Sequence, residues 1–205
     1  MLFLSCSEDP KIEGLWELQK VDIDMIPKRF KPTYLKIEHG GSFYVSKEEG
    51  DLTGLYRLEN SLLSLSSEDE RWFNRSWKVF AKEDELVLND VRNGYRGAQL
   101  RFKKIEKFPD FEEFLQTLTG SWELYKMKEK GQTKTVANTF FIIADENYII
   151  KEDEKILEEG KVLIDARHQK MTFENAEMTW DARFVWDELR LENDQIGLTY
   201  RLRKK

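Results

Sequence analysis

The chain has one cysteine, four prolines and two histidines in 205 residues. A single cysteine excludes an intrachain disulfide, so packing must hold the fold. Neither histidine has a second His, a Cys or paired carboxylates at metal-ligand spacing. His39 lies in Glu38-His39-Gly40 and His168 in Arg167-His168-Gln169, and both read as surface residues in polar turns. There is no nucleophile elbow and no glycine-rich phosphate loop. The expectation is therefore a protein that is not an enzyme, with no cofactor and no metal. No stretch approaches the ~20 apolar residues that a membrane-spanning helix needs. Basic charge is also short, with a formal net charge of −6. That balance argues against a nucleic-acid binder, which would set a basic patch against phosphates. Lys103-Lys104 and the run from Arg201 to Lys205 stand beside acidic neighbours and read as a solvated rim. Acidic runs such as Glu152-Asp153-Glu154 fall at hairpin tips and read the same way.

What the chain does have is apolar mass and a repeat. Hydrophobic residues make up 40% and aromatic residues 13%, enough for packed cores beneath a surface to which 35% charged residues contribute. Gly14-Leu15-Trp16-Glu17-Leu18-Gln19-Lys20 returns as Gly120-Ser121-Trp122-Glu123-Leu124-Tyr125-Lys126, identical at five of seven positions. At the same offset Tyr34-Leu35-Lys36-Ile37 faces Phe140-Phe141-Ile142-Ile143. Further on, Glu85-Leu86-Val87-Leu88 matches Glu188-Leu189-Arg190-Leu191, and the segment from Gly97 to Lys104 matches that from Gly197 to Lys204. The matches keep their order and bracket both halves, which indicates a duplication.

Most of each copy reads as short alternating runs separated by Gly and Asn turn signals. Examples are Leu52 to Leu58, Leu62 to Ser66, Trp77 to Ala81, Lys161 to Ile164, Arg183 to Trp186 and Ile196 to Leu202. About eight such strands per copy fit an antiparallel meander that closes on itself and so removes its edges. Between the copies the period changes. Phe111, Phe114, Leu115 and Leu118 share a helical face, Asp110 can cap the first turn, and Glu113 can complete a capping box. The apolar face of this helix is expected to pack on a barrel mouth or between the domains. The fold class is thus all-β: two tandem small antiparallel β-barrels of about eight strands, joined by a short helix. The expected boundaries are 12–105 for the first barrel, 106–118 for the helical linker and 119–205 for the second.

The Gly-x-Trp opening strand with a basic final strand resembles the lipocalin-like domains of the calycin superfamily. The resemblance implies that each Trp sits at the closed end of its barrel beneath a basic residue of the last strand. By position the implied pairs are Trp16 with Arg101 and Trp122 with Arg201. True lipocalins are longer, and copies of this size are similar to compact versions found in Bacteroidota lipoproteins. An eight-stranded barrel is either filled by side chains or holds one small ligand.

Met1-Leu2-Phe3-Leu4-Ser5-Cys6 likewise resembles the tail of a bacterial lipoprotein signal, and Ser7-Glu8-Asp9 resembles the acidic tag of surface-exposed lipoproteins. Against this, no charged n-region precedes a hydrophobic run that is itself short. Residues 1–6 are read as residual signal with Cys6 as the lipidation site, the alternative being a plain free thiol, and residues 7–11 as an acidic tether. The expected location is the cell envelope, as an outer-membrane lipoprotein held by its acyl chains.

The expected function is binding of a small apolar or amphiphilic ligand in the barrels. The alternative is a filled-barrel interaction protein that meets a protein partner through loops or an inter-domain groove. Trp72, Phe73, Trp77, Trp180, Phe184 and Trp186 serve either as core or as a ligand lining. Lys20 and Lys126 share strand parity with Trp16 and Trp122. In regular strands they point inward to meet an acidic head group, whereas a single bulge turns them out to water. The candidate ligand-binding residues are accordingly Lys20, Trp77, Lys126 and Trp186. A lumen of a few hundred cubic ångströms reaching solvent separates the two readings.

Overall fold

The computed structural model describes residues 9–68, 75–91, 97–185 and 187–205. Cys6, Trp72, Phe73 and Trp186 lie outside the described residues. The chain divides into two compact units between Phe108 and Pro109.

The first unit contains β1 (Gly14–Ile23), β2 (Ile26–Lys28), β3 (Thr33–Ile37), β4 (Ser42–Lys47), β5 (Leu52–Glu59), β6 (Leu62–Ser66), β7 (Ser76–Lys82), β8 (Glu85–Asp90) and β9 (Ala98–Ile105). Strands β1 and β3 to β9 form an antiparallel meander that closes through β1–β9 pairing, while β2 pairs with β1 alone. The second unit opens with α1 (Phe111–Leu118). It continues through β10 (Gly120–Glu129), β11 (Gln132–Ala144), β12 (Asn147–Glu152), β13 (Lys155–Asp165), β14 (Lys170–Phe173), β15 (Met178–Val185), β16 (Glu188–Asn193) and β17 (Leu198–Lys204). These eight strands form a second closed barrel. Two strands outrun their sequence-based bounds, β13 beginning at Lys155 and β15 at Met178. The extra residues of β13 are mostly exposed and join the strand through backbone pairing, whereas β15 adds Trp180 and Ala182, which are buried on its inward face.

Inward faces follow the period-two alternation of side chains. Leu86 and Leu88 on β8 and Leu189 and Leu191 on β16 are all wholly buried. The two opening strands break this rhythm at the same place. Pairing of β1 with β9 jumps between Leu18 and Lys20, and pairing of β10 with β17 jumps between Leu124 and Lys126. One extra residue, Gln19 or Tyr125, forms a bulge, and every later side chain changes face.

The helix begins at Phe111 because Asp110 caps it, its carboxylate accepting the Glu113 backbone N–H at 2.9 Å. Phe114 and Leu118 are buried and join the core of the second barrel. The indole N–H of Trp122 donates to the Leu118 carbonyl at 2.7 Å. In the first barrel the indole of Trp16 donates to the Ile12 carbonyl at 2.8 Å, again four residues upstream. An extended segment therefore does for one barrel end what a helix does for the other.

A second internal correspondence has almost no sequence identity. Phe43 on β4 stands directly opposite Gly54 on β5, and Tyr148 on β12 stands opposite Gly160 on β13. In each barrel a buried ring lies over a glycine that leaves room for it. A Cβ on Gly54 would meet Phe43 Cε1 at 2.6 Å and would also run into the Ser66 carbonyl oxygen. At Gly160 the nearest atom is the amide end of Asn175 at 2.8 Å, with Tyr148 Cε1 at 3.2 Å. A side-chain end can swing aside, whereas backbone and a buried ring cannot. Gly54→Ala is therefore expected to destabilise the protein by about 1–3 kcal/mol or more, and Gly160→Ala by less. Chemical denaturation of the two variants checks this, and equal losses would contradict it.

Candidate functional site

The basic residue over each stopper tryptophan is a lysine three positions beyond the arginine implied by the family resemblance. Lys104 Nζ lies 5.4 Å from the Trp16 ring centroid, and Lys204 Nζ lies 5.3 Å from that of Trp122. Strand parity explains the correction. On β9 the buried residues are Leu100 and Phe102, so Lys104 shares their inward face while Arg101 points outward and is exposed. On β17 Leu202 and Lys204 face inward in the same way, and Arg201 faces out. Trp16 and Lys104, like Trp122 and Lys204, are direct cross-strand partners. The glycine of the Gly-x-Trp motif completes the arrangement. Gly14 has φ +138° and Gly120 φ +136°, conformations that L side chains rarely adopt. A Cβ there would stand 2.9 and 3.0 Å from the Cε of Lys104 and Lys204.

Among the described residues, the inward faces of both barrels carry closely packed apolar side chains. In the first barrel Trp16, Leu35, Ile37, Phe43, Val45, Leu63, Trp77, Val79, Leu86, Leu88 and Phe102 pack in one cluster, none more than 2% exposed. The second barrel packs Phe141, Ile143, Tyr148, Met171, Phe173, Trp180, Leu189, Leu191 and Leu202 as tightly. These side chains are shut off from water, while Tyr56 and Leu58 in the first barrel and Phe184 and Tyr200 in the second pack on the clusters with part of their surface exposed. Trp77 is thus core, 1% exposed. Its counterpart Trp180 stacks on Tyr200 with ring centroids 4.8 Å apart. Two depressions, of about 390 and 500 Å³, lie on the first unit. One is lined by Pro10, Phe80 and Val87, the other by Lys20, Met25 and Gln99, and neither is a barrel lumen.

Lys20 and Lys126, expected inside in regular strands, are on the outer walls because of the bulges. Lys20 pairs across the sheet with Arg101 and is ion-paired with Asp22 at 2.8 Å. Lys126 stands opposite Arg201. The row continues: Arg201 is opposite Arg190, and Arg190 is opposite Arg183. Four cations thus stand side by side on β15, β16, β17 and β10. The equivalent row of the first barrel reads Phe80, Val87, Arg101 and Lys20, with Phe80 52% exposed.

Carboxylates flank the cationic row. Glu188 accepts from Arg190 and from the Tyr125 hydroxyl, and Glu192 lies 3.9 Å from Arg183. Burial tends to raise the Glu188 carboxyl, but the hydrogen bonds from Tyr125 and Arg190 outweigh it and hold the group below the ordinary carboxylate range. The hydrogen bond to Glu188 raises Tyr125, and burial adds to that. One row away, Arg203 and Lys205 both meet Glu123 at 2.8 Å and lower its carboxyl. Among the described residues no group of three or more His, Cys, Asp or Glu side chains could hold a metal ion. His39 is exposed, while His168 is half-buried with Nδ1 2.8 Å from Asp165 Oδ2.

The corrected stopper predicts that Lys104→Met costs about 0.5–1 kcal/mol and alters the fluorescence of Trp16, while Arg101→Met does neither. Denaturation followed by tryptophan emission distinguishes the two. A pH effect arises at Tyr148, which burial raises, helped by its hydrogen bond to Glu158 and by the charges of Glu158 and Glu174. The fold favours the neutral phenol, so this contribution is complete below the ordinary value of ~10 and is lost as pH rises above it toward the raised folded value. Urea unfolding across that alkaline range is expected to show a steeper decline for the wild type than for Tyr148→Phe.

No family model matches the chain, and no curated protein matches it. Among solved structures it is similar to a protein of unknown function from the DUF3598 family of Nostoc punctiforme. That similarity covers 94% of this chain and 96% of the other, at 14% identity and a TM-score of 0.29.

Proposed function

We propose that this chain is a non-catalytic, lipid-anchored cell-envelope protein whose two lipocalin-like barrels are solid scaffolds for binding a protein partner. The observation that supports this reading is the close packing of the described inward side chains in both barrels, which favours a core over a ligand lining. The residues expected to greet such a ligand support the same choice, since Lys20 and Lys126 face outward and Trp77 is packed core. With the lumens closed, recognition falls to the outer walls, where the two copies differ most in charge. The lipid anchor rests on the sequence around Cys6, and the compact lipocalin-like reading rests on the Gly-x-Trp repeat.

Native mass spectrometry of the protein extracted from its source membrane tests both parts. The expected result is an acyl mass at Cys6 and no stoichiometric small molecule, with cross-links from a protein partner mapping to strand faces. A small molecule retained in either barrel would overturn the interaction reading. An unmodified Cys6 in the mature protein would remove the anchor.

A further inference from the structure

We propose that the outer wall formed by β15, β16, β17 and β10 binds an extended acidic segment of a partner protein, with its carboxylates laid along Arg183, Arg190, Arg201 and Lys126. This rests on the interaction reading above and gives that partner a chemistry.

The first argument is one of cost. Like charges directly opposite on neighbouring strands destabilise a sheet. Here three successive cross-strand pairs are cation against cation: Arg183 with Arg190, Arg190 with Arg201, and Arg201 with Lys126. The barrel fold does not require all of them, since the first copy builds the same row as Phe80, Val87, Arg101 and Lys20, where cation faces cation once rather than three times. A local arrangement that works against stability, and that the sister domain carries at only one of the three pairs, is the mark of a surface kept for recognition.

The second argument is charge complementarity within a narrow strip. The neighbouring row on one side reads Glu188, Arg203 and Glu123, and on the other Asp181, Glu192, Thr199 and Lys128, so each border mixes carboxylates with a cation. The carboxylates steady the guanidinium groups. Glu188 holds Arg190, and the side chains of Arg183 and Arg190 remain 26% and 31% exposed. The side chains of Glu188, Glu192 and Glu123 are only 14%, 14% and 15% exposed and are already ion-paired, so a partner meets the guanidinium groups. A chain with negative charges in a single file matches a single row of cations.

Spacing selects an extended peptide. Four positions on adjacent strands span about 14 Å at ~4.8 Å per strand. In an extended segment, same-face residues i, i+2 and i+4 span about 13–14 Å. Three alternate Asp or Glu side chains therefore reach from one end of the row to the other, and arginine forks receive carboxylates bidentately.

The test uses the full chain and a fluorescein-labelled peptide of alternating glutamate and threonine, followed by anisotropy. Saturable binding that weakens with salt is expected, and Arg190→Gln or Arg201→Gln should weaken it about tenfold by removing one charged hydrogen-bonding partner. Arg101→Gln, at the matching place in the first barrel, should leave it unchanged. Unaltered melting temperatures would establish that the variants fold. The proposal falls if the peptide does not saturate or if a scrambled peptide of the same composition binds equally. It also falls if the Arg variants bind like the wild type, or if duplex DNA or phosphatidylglycerol vesicles bind this wall more tightly than the peptide. Partner cross-links elsewhere on the barrels, combined with a failed peptide, would sink this assignment alone. A small molecule found inside a barrel would instead sink the interaction reading.

Discussion

In each half of this protein a buried indole that donates to the chain preceding it ties down one barrel end. Trp16 and Trp122 are almost wholly buried, and an indole N–H shut away from water is costly unless it donates. Each finds the carbonyl four residues upstream, which requires the preceding chain to fold across the barrel end. Glycine two places before the tryptophan makes that entry through a conformation other residues resist. Its missing Cβ also admits the aliphatic stem of a lysine from the last strand. The contact joins the first strand to the last, so the interaction that caps the barrel also helps set the register that closes it.

Closure at one end and the burial of several rings pack the described inward faces closely. Phe43 over Gly54, Tyr148 over Gly160, and Trp180 stacked on Tyr200 each occupy space that a longer-stranded barrel could keep open. Aromatic side chains from different strands meet inside the second barrel, Phe141 with Phe173 and with Tyr200. The consequence for function is a matter of place. Chemistry available to a partner lies on outward-facing residues, and there the two copies have separated, one presenting Phe80 and Val87 where the other presents Arg183 and Arg190.

Much of the architecture was legible because it rests on local signals. The repeat around Trp16 and Trp122, the alternating runs and the Asp110 cap each depend on neighbours in the chain. The candidate site was less legible, and the reasons are specific. Assigning the stopper cation to Arg101 and Arg201 matched residue type but not strand parity, and one face separates Arg101 from Lys104. The fate of Lys20 and Lys126 hung on one bulge residue in each opening strand, which neither Gln19 nor Tyr125 announces. The ring-over-glycine pairs went unseen because Phe43 and Tyr148 share little beyond an aromatic ring.

The amino-acid order by itself determined that there are two copies, that each is a β meander headed by a Gly-x-Trp strand, and that a capped helix stands between them. Only the tertiary structure decided which side chains pack inside the barrels, which lysine covers each tryptophan, and that four cations on four strands line up as neighbours. The difference is physical. Periodicity and capping are set by residues within a few positions of one another. Lumen filling and cross-strand rows depend on register between segments far apart in the chain, and a shift of one residue exchanges inside for outside.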